Sequence, residues 1–248
     1  MTRTLILQAR NLRLSFGGVA AADDASLSIA NGQRMAIIGP NGAGKTTFVN
    51  ICTGYLKPQS GAVLFEGRDI TGLAPRRIAR EGIGRSFQLP QLFLDNTVME
   101  NLLMAVAARE GIWNPWVRLE RHPKRGEMFE LLEVIGLIDV AHRIARELPE
   151  GMRKLIDIAM ALALKPRLIF MDEPTSGVST TEKFAIMDIV VRALQHNATT
   201  AVFVEHDMDV VSRYADKVAV WSDGRISREG APDEVLKDPY VLENVIGV

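Results

Sequence analysis

Gly39-Pro40-Asn41-Gly42-Ala43-Gly44-Lys45-Thr46-Thr47 is the stretch that decides how this chain folds. It fits the pattern G-x-x-x-x-G-K-[ST], a phosphate-binding loop when a strand precedes it and a helix follows. Both flanks meet that condition. Arg34-Met35-Ala36-Ile37-Ile38 reads as a buried strand, and residues 47–53 read as a helix. Glycines allow backbone N–H groups to turn inward around phosphate oxygens, where they add to the positive end of the helix dipole. Lys45 is then placed to reach the β- and γ-phosphates of a nucleoside triphosphate, and Thr46 offers its hydroxyl to Mg²⁺.

Two further apolar runs end in polar residues. Leu168-Ile169-Phe170-Met171 leads into Asp172-Glu173, and Thr200-Ala201-Val202-Phe203-Val204 leads into Glu205-His206. Open α/β sheets gather ligand chemistry at the carboxyl ends of their strands. Two carboxylates beside an apolar core carry a desolvation cost, which a metal and a reacting water would justify. In that reading Asp172 holds Mg²⁺ through water, and Glu173 is the general base for the attacking water.

Short β-rich runs alternate with helical stretches, which argues for an α/β fold with a mostly parallel sheet. Residues 1–33 and 61–66 alternate in polarity between the turn pairs Gly17-Gly18, Asn31-Gly32 and Ser60-Gly61, so they are expected to form an antiparallel flank. Residues 95–147 read as helices, at 98–108 and 125–135, inserted into the α/β core.

Composition removes several classes of function. The chain has 248 residues, 47% of them apolar, enough for a sizeable core. Its formal charge of −1 gives no field that would attract nucleic acid. One cysteine, Cys52, leaves no internal disulfide framework and suits a reducing compartment. The apolar run within residues 1–8 is too short to read as a secretory signal. The most apolar tract, 155–171, is interrupted by Asp157, Lys165, Pro166 and Arg167 and cannot span a bilayer. The chain is therefore expected to be soluble, with any membrane role reached through a partner.

The motif order makes a family resemblance specific. A phosphate loop, then Ser86-Phe87-Gln88, a helical insert, Asp172-Glu173 and Val204-Glu205-His206-Asp207 resemble an ABC transporter ATPase along essentially the whole chain. The resemblance implies a P-loop NTPase (RecA-like) fold in one domain. Its nucleotide-binding core would be 1–88 with 154–248, and its helical signature subdomain 89–153. It implies ATP and Mg²⁺ as ligands, with Gln88 sensing Mg²⁺ and the attacking water, so that Thr46, Gln88 and Asp172 form the metal set. It implies that His206 contacts the γ-phosphate beside Glu173 and Gln88. Phe16 sits where the family stacks an aromatic ring on adenine, though a lone aromatic in a strand is also consistent with core packing.

A finer resemblance, to importers of branched-chain amino acids, urea and short amides, lies in 16–24, 54–58, 67–73, 77–80 and 84–88, and in the segment holding Trp113 and Trp116. It implies integral membrane permease subunits as partners, an extracytoplasmic solute-binding protein acting indirectly, and a peripheral position on the cytoplasmic face of the inner membrane. Leu89, Leu92, Phe93 and Leu94 would dock a short helix of the permease, or else pack the helical subdomain. No nucleic acid is implied.

The chain departs from the family where the signature L-S-G-G-Q falls on Leu148-Pro149-Glu150-Gly151-Met152. Pro149 removes a hydroxyl and a backbone N–H, and Glu150 sets a negative charge where phosphate should approach. Proline is compatible with a first helical turn, so the helix itself is expected to form. Ser179 stands where the family generally has an acidic residue. These departures imply a second, different ATPase subunit in a heterodimer with unequal sites, a homodimer being the alternative.

Overall fold

The computed structural model describes residues 4–110 and 119–247; Trp113 and Trp116 lie outside them. Along the chain run β1 (Leu5–Phe16), β2 (Val19–Ala30), β3 (Arg34–Ile38), α1 (Lys45–Cys52), β4 (Ser60–Phe65), β5 (Arg68–Asp69), α2 (Pro75–Glu81) and β6 (Ile83–Ser86). Then follow α3 (Val98–Glu110), α4 (Arg125–Val134), α5 (Glu150–Ala163), β7 (Leu168–Asp172), α6 (Thr180–His196), β8 (Thr200–Val204), α7 (Met208–Tyr214), β9 (Lys217–Ser222) and β10 (Arg225–Gly230). The chain divides into two compact units, residues 1–81 with 200–248, and residues 82–199.

In the first unit, β2, β1, β4 and β5 form the expected antiparallel flank. Leu7, Ala9, Leu12 and Leu14 of β1 are buried. The step from Ala9 to Leu12 is odd, so strict alternation would turn Leu12 outward. A register shift there absorbs the extra residue, with Asn11 at φ 49, and a second shift between Leu12 and Leu14 accommodates Asp24 of β2 at φ 61. Asn11 tolerates that backbone because its polar groups bond locally: its N–H donates to Ser26 Oγ and its side-chain amide to Asp24.

The other layer of this unit orders its strands β10, β9, β3, β8. Strand β3 lies parallel to both β8 and β9, and β10 is antiparallel to β9. Met35 to Ile38 are fully buried, as a strand flanked on both sides requires. Strands β3 and β8 match the boundaries read from sequence, because a run of buried residues bounded by turn residues leaves little choice of register.

The second unit pairs β6 with β7 in parallel and packs α5 on them, with α3, α4 and α6 against α5. The segment expected as a helical insert, 89–153, lies wholly within it. Helix α5 begins at Glu150 with Pro149 as its N-cap residue, so the helix does form at the altered signature. Helix α6 starts at Ser179 in a capping box: Ser179 Oγ accepts from the Glu182 N–H, and the Glu182 carboxylate accepts from the Ser179 N–H. Serine in place of an acidic residue at 179 thus keeps a competent helix cap.

Candidate functional site

The loop 39–44 connects β3 to α1 over a floor built by β9 and β2. A Cβ added to Gly39, at φ 150, would meet the Trp221 carbonyl oxygen at 2.0 Å; one added to Gly44, at φ 112, would meet the Ala21 carbonyl oxygen at the same distance. Both positions therefore require glycine, for backbone angle and for room. Trp221, fully buried, packs its ring on Phe48 of α1 at 5.0 Å between centroids and so ties the floor to the helix. Lys45 is buried and donates through Nζ to the carbonyls of Gly39 (2.6 Å) and Pro40 (2.8 Å), which curls the ammonium inside the loop. Pro40, Asn41, Gly42 and Thr46 are exposed, Ala43 and Thr47 half-buried.

Because β3 and β8 are parallel neighbours, the loop and His206 leave the same sheet edge side by side; the Glu205 N–H donates to the Ile37 carbonyl there. His206 is exposed, and Asp207 behind it caps α7 by accepting from the Asp209 and Val210 N–H groups. Phe16 is 49% exposed at the tip of the β1–β2 hairpin, opposite Val19, so it is not part of the core.

In the second unit, Asp172 ends β7 buried, with Arg85 of β6 3.7 Å from its carboxylate. Arg85 lies over the Phe87 ring, 4.8 Å from its centroid. Glu173 follows in the left-handed region at φ 49. For a residue with a Cβ that backbone costs about 1 kcal/mol, and such strain concentrates at functional positions. Gln88, exposed, donates from Nε2 to Glu173 Oε2 at 2.7 Å. The structure thus brings Gln88 to Glu173, and the loop to His206.

Taken unit by unit, the donors are of the kind Mg²⁺ accepts: the Thr46 hydroxyl in the first unit, and the Asp172 carboxylate and Gln88 amide oxygen in the second. Among the described residues no group of three or more His, Cys, Asp or Glu could hold a metal unaided.

Sequence reasoning missed five contributors. Trp221 and Ala21 shape the loop from below, and Arg85 pairs with Asp172. Lys154 and Asp157 of α5 are buried charges that bond the chain around Gln88 and Glu173. The available signal was a lysine and an aspartate three residues apart in the otherwise apolar stretch 154–163 of the helix.

Residues 22–176 match the family model described as ABC transporter. The chain is 39% identical to the probable branched-chain amino acid transport ATP-binding protein LivG of Methanocaldococcus jannaschii, covering 98% of this chain and 97% of that one. It is 32% identical to the high-affinity branched-chain amino acid transport ATP-binding protein LivG of Escherichia coli (strain K12), over 98% of each. Among solved structures it is similar to an ATP-binding cassette of an ABC transporter in its ADP conformation, with a TM-score of 0.89, 36% identity, and 99% and 100% of the two chains covered. A nucleotide-free ATP-binding cassette matches with a TM-score of 0.87 at 35% identity, over 97% of this chain and 98% of that one. These likenesses bear out the P-loop NTPase fold with its antiparallel flank and helical insert.

Proposed function

The chain belongs to the ABC transporter family, and from that premise we propose that it binds and hydrolyses ATP to power an importer of branched-chain amino acids or a related small polar solute. The names of its relatives support the substrate class. The observation that carries hydrolysis is the 2.7 Å hydrogen bond between Gln88 and Glu173, in a chain that also holds a complete phosphate loop.

The roles follow from the chemistry of each residue. The backbone of Gly39, Pro40, Asn41, Gly42, Ala43 and Gly44, with Lys45, Thr46 and Thr47, binds the phosphates. Thr46, Gln88 and Asp172 would hold Mg²⁺, which would supply positive charge to offset that of the phosphates. Glu173 takes the proton of the attacking water while Gln88 fixes its carboxylate. His206 contacts the γ-phosphate, and Phe16 stacks on adenine, for which its exposed ring is available.

No helix among the described residues is long and apolar enough to cross a membrane. Membership of the ABC transporter family supports attachment through permease subunits at the cytoplasmic face, with an extracytoplasmic solute-binding protein acting on those subunits. Leu89 (74% exposed), Phe93 (53%) and Leu94 (46%) support the docking reading over core packing. Leu89, Leu92 and Leu94, with Pro90, Glu150 and Arg153, line a groove of about 300 Å³ in the same unit.

The second ATPase subunit of the pair is a different chain. Pro149 and Glu150 support this: the Glu150 carboxylate lies against Gly177, where an added Cβ would meet Oε1 at 2.6 Å. A phosphate brought to this helix start would meet that charge, losing one or two charge-assisted bonds worth about 1.5–3 kcal/mol each. This chain's own base then drives turnover against the partner's intact signature. Glu173→Gln in the reconstituted pair is expected to abolish most hydrolysis and leave ATP binding intact. Near-normal turnover in that variant would overturn the unequal-site reading.

A further inference from the structure

We infer that Lys154 and Asp157 are positioning residues, a buried clamp on α5 that fixes the backbone of Gln88 and Glu173 so that their side chains meet. The inference rests on the reading of Glu173 as the hydrolytic base and deepens it.

Residues 87–94 carry no helix or strand. Their backbone groups therefore need partners other than a ladder. Asp157 provides them on both sides of Gln88: Oδ2 accepts from the Phe87 N–H at 2.8 Å and Oδ1 from the Gln91 N–H at 3.0 Å. Lys154, one turn earlier on the same helix face, donates to the Gln88 carbonyl at 3.2 Å, the Glu173 carbonyl at 3.3 Å and Ser176 Oγ at 2.8 Å. Ser176 Oγ in turn donates to the Glu173 carbonyl at 3.1 Å. A single ammonium thus joins the main chain of Gln88 to that of Glu173, while the two side chains bond to each other at 2.7 Å.

Lys154 and Asp157 are 3% and 6% exposed. Burying charges of this kind is unfavourable unless every oxygen and N–H is used, and apolar residues of similar volume would serve packing as well or better. Their presence is explained by what they hold. Glu173 sits in a strained left-handed backbone that its surroundings must enforce, and Lys154 bonds the carbonyl of Glu173 itself and the Ser176 hydroxyl three residues on. With its donors spent on protein acceptors and its side chain enclosed, Lys154 is no phosphate ligand.

The test uses the transporter assembled with its membrane partners. Wild type and Glu173→Gln are measured first: a Glu173→Gln complex as active as wild type would refute the base assignment and not the clamp. Lys154→Met is then expected to lower kcat at least tenfold, with KM for ATP and the ATP-induced rise in melting temperature unchanged, and Lys154→Arg to recover part of the rate. Asp157→Asn should speed amide exchange of the peptide spanning 87–91. Wild-type kcat in Lys154→Met would overturn the inference. So would a loss of stability that Lys154→Arg repairs without restoring kcat. Should Lys154→Met fail to fold, Ser176→Ala removes one anchor only; a several-fold fall in kcat at constant KM is expected, and unchanged kcat overturns the clamp.

Discussion

Replacing Asp157 with asparagine asks whether the cost of burial governs that position. Burial pushes the Asp157 carboxyl up from 3.8 to about 6, against the opposing pull of the Phe87 and Gln91 N–H groups and of Lys154. The folded-state value lies above the unfolded one, so between the two the folded chain holds a proton that the unfolded chain has lost. The stabilisation from that proton is complete below the unfolded value of 3.8 and is lost as pH rises through about 6. A difference of about two pKa units, at about 1.4 kcal/mol each, makes the effect ~3 kcal/mol. Asparagine has no titrating proton, so the variant lacks this slope while sharing every other carboxylate with wild type. Urea unfolding of both proteins, followed by circular dichroism from about pH 4 to about pH 7, isolates it by subtraction. Wild-type stability relative to Asp157→Asn should fall by about 3 kcal/mol over that range, mostly below about pH 6. A flat difference would mean that the partners fully offset desolvation, and the reasoning would fail.

Two other substitutions separate geometry from chemistry. Gly44→Ala combines a left-handed backbone with a 2.0 Å approach to the Ala21 carbonyl; it should cost about 3 kcal/mol or more and abolish ATP binding. Gly42→Ala meets nothing within 4 Å, so strain of about 1 kcal/mol should be its main cost; thermal melts with and without ATP compare the two. Glu173→Gly should raise stability by about 1 kcal/mol by relieving the backbone at φ 49, while ATPase assays show hydrolysis lost; a variant of lower stability would mean that the turn is not strained.

What the sequence by itself determined here is whatever local chemistry over-determines. The run from Gly39 to Thr47 has few uses for its glycines, lysine and threonine other than holding phosphate, and the apolar runs at 34–38 and 200–204 could only be buried strands. Strands β3 and β8 follow their predicted boundaries for that reason, and α5 forms behind Pro149 because a proline at a helix start removes no helical hydrogen bond. The order of Gln88, Asp172-Glu173 and His206 carried the family, which the comparisons with known ATP-binding cassettes bear out.

Tertiary structure alone decided which distant residues serve those motifs. Nothing in the sequence ties Trp221 to the phosphate loop, yet its carbonyl lies beneath Gly39. Asp157 reads as a charge interrupting an apolar tract until its two oxygens are seen holding the N–H groups of Phe87 and Gln91. Phe16 could be core or surface until the hairpin turns its ring outward. The physical reason is common to all three. A motif is chemistry between near neighbours and is written in spacing, whereas support for a strained turn or a close backbone approach comes from whichever element folding brings alongside.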